Sequence, residues 1–330
     1  MNEQSSVAVI ILNFNGKKWL EQFLPPLLAH TPEANVIIAD NASTDDSLHF
    51  IQTYFPSIQS IVFEKNLGFC EGYNQALSQI KATYFVLLNS DIEVSANWLA
   101  PLIQTLETEK DAVATQPKIK SFYQKNCFEY AGATGGFLDK WGYAFCRGRI
   151  FDTFEEDKGQ YDEKTEIFWA SGACMCIKAD WWHKLGGFDK HFFAHFEEID
   201  LAWRIHSQGG KIYYTPDSEV FHVGGGTLPK TNPHKTFLNY RNNLLTIYKN
   251  APFTAKLWLI PLRLVLDGVS SILFLKKGEW ANIWAVIKAH FSFYALVIKV
   301  KTSPKKSLPN FPKFIILEYF LRKKKKFSEL

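Results

Sequence analysis

The stretch Tyr84-Phe85-Val86-Leu87-Leu88-Asn89-Ser90-Asp91 constrains this chain more than any other. Five consecutive apolar or aromatic residues are the pattern of a strand buried on both faces, as in the centre of a parallel sheet. The run stops at an amide and a carboxylate, so Asn89 and Asp91 stand at the strand's carboxyl edge. In open α/β sheets, ligands bind in the crevice outside those edges. A carboxylate there suits a divalent cation holding a diphosphate. It suits equally a polar turn in which Asp91 caps the next element. Taken alone, the stretch leaves both readings open.

The same design occurs upstream. Val7-Ala8-Val9-Ile10-Ile11-Leu12-Asn13 is an apolar run that breaks at Asn15-Gly16, and Asn35-Val36-Ile37-Ile38-Ala39-Asp40 runs into Asn41-Ala42-Ser43-Thr44-Asp45. Between them Trp19, Leu20, Phe23, Leu24, Leu27 and Leu28 fall at helical spacing, with Pro25-Pro26 expected to kink or shorten the helix. Ser43 or Thr44 is expected to cap a helix over 45–54. A strand over 58–63, a turn at Asn66-Leu67-Gly68-Phe69, a helix over 72–81 and another over 97–109 come next. Such alternation with short links predicts a mostly parallel, helix-covered sheet with right-handed crossovers. Residues 130–154 are rich in glycine and aromatics and read as a packed functional excursion. A strand over 167–177, a helix over 179–185, the Gly186-Gly187 turn, a helix over 198–208 and strands over 211–215 and 219–221 complete the expected order.

A chain of 330 residues with 28 Phe, 13 Tyr and 10 Trp can bury a full core and is not disordered. Its net charge of +4 hides an asymmetry. Residues 251–330 carry 15 Lys and Arg against 4 Asp and Glu, a net of +11, which leaves 22 against 29, or −7, for the remainder. The acidic part suits metal and sugar chemistry, and the basic part suits anionic lipid headgroups or nucleic acid. Five cysteines without a Cys-x-x-Cys pair read as reduced, mostly buried thiols in a cytosolic compartment. Cys174-Met175-Cys176 reads as a strand whose alternation sends the two thiols to opposite faces. The polar, short Met1–Ser6 segment is not expected to act as a signal peptide, because strand-like sequence follows it at once.

This divides the chain into a catalytic region over 1–250 and a basic helical region over 251–330. Residues 257–275 and 280–298 are dense in apolar side chains, but Arg263, Asp267, Lys288 and His290 interrupt them. Charges near the centre of a spanning helix are costly, so the expectation is amphipathic helices lying in the bilayer interface. A hairpin dipping into the membrane and a soluble helical cap are the alternatives. The Arg322–Lys326 cluster would add attraction to an anionic leaflet, or else be a solvated tail.

Acidic residues gather once more at Glu197-Glu198-Ile199-Asp200, opening the helix that continues to Trp203-Arg204. A helix N-terminus favours ionised carboxylates, as a general base requires. His222 ends the 219–221 strand, ahead of Gly224-Gly225-Gly226-Thr227. With these residues in place the chain resembles a family 2 glycosyltransferase of the bacterial rhamnosyltransferase-like kind. The resemblance covers about residues 7–250. It rests on Ile11–Gly16, Asp40–Asp45, Asn66–Phe69, Leu88–Asp91, Ser171-Gly172-Ala173, Gly186–Asp189, Glu197–Arg204 and His222, in family order.

The resemblance implies a GT-A fold: Rossmann-like α/β, a mostly parallel sheet covered by helices, here with a C-terminal amphipathic helical extension. It implies that Asp40 accepts from the N3–H of uracil or thymine, with Asn13 and Asn15 beside the nucleotide and Asn66 and Gly68 closing over it. Asp91, next to Asn89, would bind Mn²⁺ or Mg²⁺, with His222 as a second ligand. Gly172, Gly186 and Gly187 would let backbone approach the sugar, and Asp189 would lie near the donor–acceptor junction. Two departures from the family pattern stand out. Asn89-Ser90-Asp91 offers one anionic ligand where two acids are frequent, and Glu197-Glu198 replaces Glu-Asp. Glu198 aligns with the family's base, and Glu197 is the alternative.

The function implied is an inverting transfer from a UDP- or dTDP-sugar to a hydroxyl of a lipid-linked glycan acceptor, in cell-surface polysaccharide synthesis. The enzyme would sit peripherally on the inner face of the cell membrane, against an anionic surface. A non-catalytic nucleotide-sugar-binding protein is the rival from a different class. Nucleic acid is not an expected partner, because the aromatics of the basic region lie among aliphatics at helical spacing and not as stacking platforms.

Overall fold

The computed structural model of the chain describes residues 6–130, 132–224, 232–303, 308–309 and 311–330. Met1–Ser5 and the Gly225–Thr227 part of the glycine run lie outside the described residues.

The apolar runs form the strands expected of them: β1 (Val7–Asn13), β2 (Asn35–Asp40), β3 (Gln59–Val62) and β4 (Tyr84–Leu88) pair in parallel in the order β3-β2-β1-β4. The short β5 (Ile92–Val94), absent from the sequence expectation, and the long β6 (Ala112–Ser121) come next in the chain. Four strands of two or three residues, β7 (Gly136–Leu138), β8 (Ala144–Cys146), β9 (Arg149–Ile150) and β10 (Thr153–Phe154), make a separate antiparallel sheet out of the aromatic excursion. The single strand expected over 167–177 is two. β11 (Thr165–Ile167) pairs antiparallel with β13 (Lys211–His222), while β12 (Cys174–Lys178) lies antiparallel between β4 and β6. Gly172 interrupts the apolar run between them. The two strands expected over 211–221 are one, bulged between Thr215 and Glu219.

Helices α1 (Lys17–Ala29), α2 (Ser47–Tyr54), α3 (Gly68–Leu77), α4 (Ala100–Thr108), α5 (Ala179–Leu185) and α6 (Glu197–Ser207) surround this sheet, and α7 (Pro233–Asn250) packs on α6. Helix α3 starts one turn earlier than expected, because Gly68 enters it with φ of +75° and no Cβ to strike the Phe193 ring. Neither Ser43 nor Thr44 caps α2, whose cap position is Asp46. Strand alternation splits the core. Ala8, Ile10, Phe85 and Leu87 face one cluster, and Val9, Ile11, Val86 and Leu88 the other. The same rule corrects the cysteine expectation, since residues two apart on a strand share a face. Cys174 and Cys176 both face the second cluster, with Met175 on the other side.

Helices α8 (Phe253–Lys276) and α9 (Trp280–Val297) form a hairpin on α7, with Ala255, Leu259 and Phe293 entering the main core. Of the described helices, α8 alone is long and apolar enough to cross a bilayer by length and composition. Its central charges, Arg263 and Asp267, point inward, whereas Lys276 in the last turn is exposed. Asp267 meets His290 of α9 at 3.1 Å and Arg263 at 3.6 Å, and the Arg263 guanidinium lies 3.4 Å from the Tyr143 ring centre. The outer face is mostly apolar, with Leu257, Val265, Trp280, Trp284 and Phe291 exposed, the last by 75%, and with Lys288 exposed among them.

The end of the chain is not a frayed tail. Phe311 and Phe327 pack on Phe137 and Phe145 of the small sheet, and Glu318 pairs with Arg322 and Lys324. Asp139 anchors this return by accepting from the amides of Trp141, Tyr143 and Ile315 at 2.9, 2.9 and 3.1 Å. Asp139→Ala would strand three buried donors, and a loss of about 1–3 kcal/mol is expected. Denaturant unfolding together with tryptic cleavage within 313–326 would show it, and unchanged cleavage would mean that the aromatic packing alone holds the tail.

Candidate active site

Strands β1, β2, β4, β6 and β13 all run the same way, so their carboxyl ends share one edge of the sheet. β12 runs the opposite way, which brings its amino-terminal approach, Gly172-Ala173, to the same edge. Topology thus gathers most of the residues singled out from sequence.

At one end of this edge Asn13 and Asp40 sit side by side. Asn13 Nδ2 donates to Asp40 Oδ2 at 3.0 Å and to Ser43 Oγ at 3.1 Å. The Ser43 amide donates to Asp40 Oδ1 at 2.8 Å. Asn13 Oδ1 has no hydrogen-bond partner among the described residues, and a Cβ on Gly16 would lie 2.3 Å from it, so this position requires glycine. Asn15 Oδ1 accepts from the Thr44 amide at 2.7 Å. Ser43 and Thr44 therefore tie the two strand ends together. The exposed Asn66 accepts from the Gly68 amide and from Asn41 Nδ2, fixing the turn beside this edge.

Asp91 and His222 meet further along. β5 turns back antiparallel onto the end of β13, setting His222 opposite Ile92. Nε2 of the imidazole is 3.2 Å from Asp91 Oδ1, and Nδ1 is 3.1 Å from Glu129 Oε2. Burial opposes charge on His222, but the two carboxylates overcome it and raise the ring to about 10. Burial likewise opposes the charge of Asp91, and His222 holds it below the ordinary carboxylate range. Adjacent ligands on an octahedral cation, each about 2.1 Å from it, are about 3 Å apart. The Asp91–His222 spacing would fit that requirement once Nε2 gave up its proton, and Glu129 on the far nitrogen would then orient the ring as metal-bound histidines are oriented. Among the described residues no set of three or more His, Cys, Asp or Glu side chains is arranged to hold a metal ion. Glu129 lies in an irregular stretch with no periodic signal, and sequence reading missed it.

Glu197 and Glu198 open α6 on the other side. The Asn89 amide donates to Ala173 O at 2.9 Å, and a Cβ on the preceding Gly172 would lie 3.9 Å from Glu197 Oε1. The acidic pair is thus one bonded strand away from the Asn89–Asp91 turn. Glu197 is 4% exposed, and Oε2 of both glutamates is shielded without a hydrogen-bond partner. The helix N-terminus does not keep them strongly ionised, as the sequence suggested, because burial dominates. Burial, and then the neighbouring Glu198, push Glu197 well above the carboxylate range, while burial raises Glu198 to about 7.

The loop leading to this pair is held against its own preference. Phe193, His195 and Phe196 have φ of 65°, 68° and 72°, which costs a non-glycine residue about 1–2 kcal/mol each. Asn242 of α7 donates to Phe192 O, Ala194 O and His195 O at 3.0, 2.9 and 2.7 Å, and Arg241 donates to His191 O and Phe192 O. Lys249 of α7 bridges Asp189 at 2.6 Å and Asp200 at 2.9 Å. Asp200 also takes Arg204 at 2.9 Å and Asn250 at 2.8 Å. Burial opposes the charge of Asp189, yet Lys249 and His191 bring it to about 2. Both oxygens of Asp189 are engaged, in the manner of a group that positions its neighbours. Gly186 ends α5 with a left-handed φ of +74°, and Gly187 carries its carbonyl to Arg204. The polar residues of α7 gave no sequence signal, since buried Arg, Asn and Lys look like a solvated helix face.

Residues 8–168 match glycosyl transferase family 2. The N-acetylglucosaminyl-diphospho-decaprenol L-rhamnosyltransferase of Mycobacterium tuberculosis is 24% identical over 230 residues, covering 65% of this chain and 75% of the relative. Rhamnosyltransferase WbbL of Escherichia coli is 24% identical over 225 residues, covering 66% and 83%. The crystal structure of GalNAc-T7 with UDP, GalNAc and Mn²⁺ superposes with a TM-score of 0.57 at 16% identity, over 74% of this chain and 49% of that one. The central α/β sheet is therefore a GT-A fold, extended by a C-terminal helical region. Over residues 8–168 the chain is therefore similar to the family 2 glycosyltransferases, and it resembles the rhamnosyltransferases among them.

Proposed function

We propose that the protein inverts the anomeric centre of a sugar as it moves it from a UDP- or dTDP-sugar to a hydroxyl of a lipid-linked glycan, in cell-surface polysaccharide synthesis. The observation that carries this reading is the shielded pair Glu197 and Glu198, opening α6 beside Gly172 and one bonded strand from Asp91. The acceptor chemistry rests on the mycobacterial relative, whose name specifies a diphospho-decaprenol acceptor.

Asn13, Asn15 and Asp40 face the nucleobase end of the donor, with Asn66 and Gly68 beside it. Asp91 and His222, next to Asn89, would hold Mn²⁺ or Mg²⁺. Such an ion supplies neutralisation of a diphosphate's charge. Glu198 takes the acceptor proton as the hydroxyl oxygen bonds to the anomeric carbon. The bond to the donor diphosphate breaks with its electron pair, through an oxocarbenium-like transition state. A base raised to about 7 is matched to this work at neutral pH, and burial also favours the neutral form of the neighbouring Glu197. Asp189 and Asp200, locked by Lys249, set the height of α6 above the donor.

Transfer should rise with pH through about 7 and fall tenfold per unit below it, because only the Glu198 carboxylate accepts a proton. Glu198→Gln is expected to remove that limb and lower turnover by roughly 10²–10⁴-fold, with donor affinity retained. Turnover near that of the wild type would assign the base to Glu197.

The apolar outer face of α8 and α9 would seat the protein peripherally on the inner, anionic face of the cell membrane, where a lipid-linked acceptor resides. Replacing exposed Leu257, Val265, Trp280 and Trp284 by serine leaves the core untouched. Each large apolar side chain kept out of water contributes about 1.5–3 kcal/mol. The quadruple variant should therefore fold normally by circular dichroism and lose binding to anionic vesicles by tenfold or more. Undiminished vesicle binding would refute this seat.

A further inference from the structure

Beside the active site lies a cleft of about 390 Å³, lined by residues from three separate places in the chain. Tyr130 and Asp152 come from the excursion that carries the small sheet, Lys235, Thr236 and Asn239 from the first turns of α7, and Phe274, Lys277, Glu279 and Asn282 from the α8–α9 turn. Its volume lies within the roughly 300–1,000 Å³ of small-molecule sites. Both flanks connect to the reaction centre through the chain. Tyr130 directly succeeds Glu129, the partner of His222, and Lys235 stands on the helix whose Arg241 and Asn242 hold the loop before Glu197.

The lining carries three chemistries in sequence. Amides and carboxylates from Asn239, Asn282, Asp152 and Glu279 match sugar hydroxyls, and the rings of Tyr130 and Phe274 match the C–H face of a pyranose. The Tyr130 ring is fixed from one side by the Arg149 guanidinium at 3.4 Å, and the Lys235 amine lies 5.6 Å from its centre. Thr236 and Glu279 both bond Asn282, so the polar wall is preorganised. Lys235 and Lys277 supply positive charge for a phosphate. Beyond Phe274 the surface turns apolar, through exposed Ile272, Leu273, Leu275 and Trp280.

We propose that this cleft seats the headgroup of the acceptor, a saccharide joined through phosphate to a long apolar chain that leaves along α8. A free sugar has no use for the apolar exit, and a membrane phospholipid has no use for the amide wall. The order of these chemistries therefore favours one amphiphile. The assignment rests on the glycosyltransferase reading above and adds to it the place where the acceptor binds.

The test uses the full chain and a synthetic probe, undecyl-diphospho-N-acetylglucosamine, below its micelle concentration, with UDP and Mn²⁺ titrated in parallel. Lys235→Ala and Lys277→Ala, alone and together, are compared with the wild type. The proposal expects probe binding weakened tenfold or more in the double variant, with UDP affinity within twofold. Unchanged probe affinity in the double variant, or a wild type that binds UDP without binding the probe, would overturn the cleft assignment alone. Undecyl phosphate binding as tightly as the probe would overturn its saccharide part. A wild type that binds neither UDP nor probe would overturn the underlying reading as well.

Discussion

One buried cation joins the halves of this protein. The Lys249 amine lies between Asp189 and Asp200, and Asp200, fully buried, is completed by Arg204 and Asn250. Removing a single partner from such a network leaves an uncompensated interior charge, commonly at a cost of about 3–5 kcal/mol. The geometric consequence matters as much as the energy. Lys249 belongs to α7, Asp200 to α6, and Asp189 to the turn between α5 and α6. The helix that presents Glu197 and Glu198 is therefore held by the same helix that supports the α8–α9 hairpin.

The rest of the site is built outward from that junction. Arg241 and Asn242, on the same helix as Lys249, hold three left-handed residues in the loop before Glu197. Strain of this kind persists where surrounding structure over-determines it, and such places cluster at functional sites. Burial removes water from the paired glutamates that follow this loop and raises their proton affinity. On the far side, Asp91, His222 and Glu129 form a charged triplet whose orientation comes from β5 pairing with the end of a bulged strand. A carboxylate pair tuned upward by burial thus stands across a strand end from Asp91, whose charge His222 favours.

Much of this was legible in the amino-acid sequence. Continuous apolar runs ending in Asn13, Asp40 and Asp91 announced parallel strands and the edge at which a ligand binds, since strands buried on both faces leave few other readings. Glu197, Glu198, Asp200 and His222 were visible as carboxylates and an imidazole at the ends of elements. The residues and elements that escaped were of three kinds. β5 and β7–β10 are too short for period-two alternation to register. Glu129 comes from an irregular segment and is recruited only by tertiary contact. Arg241, Asn242, Lys249 and Asn250 lie some 50 residues from the groups they bind, and polar residues on a helix suggest solvent unless their partners are known. The expected ionisation of the acidic pair failed for a related reason, because a sequence reveals the helix N-terminus but not the depth of burial that outweighs it.

Everything proposed for the reaction requires the carboxyl edge of the sheet to be a metal-assisted nucleotide-sugar site. Thermal stabilisation of the purified chain by UDP-, dTDP- and GDP-sugars, each with and without Mn²⁺, puts that requirement to the test. A rise in melting temperature with a uridine or thymidine donor, dependent on the metal and lost in Asp91→Asn, is the predicted result. Indifference to every donor, or stabilisation that survives both metal removal and Asp91→Asn, would contradict it.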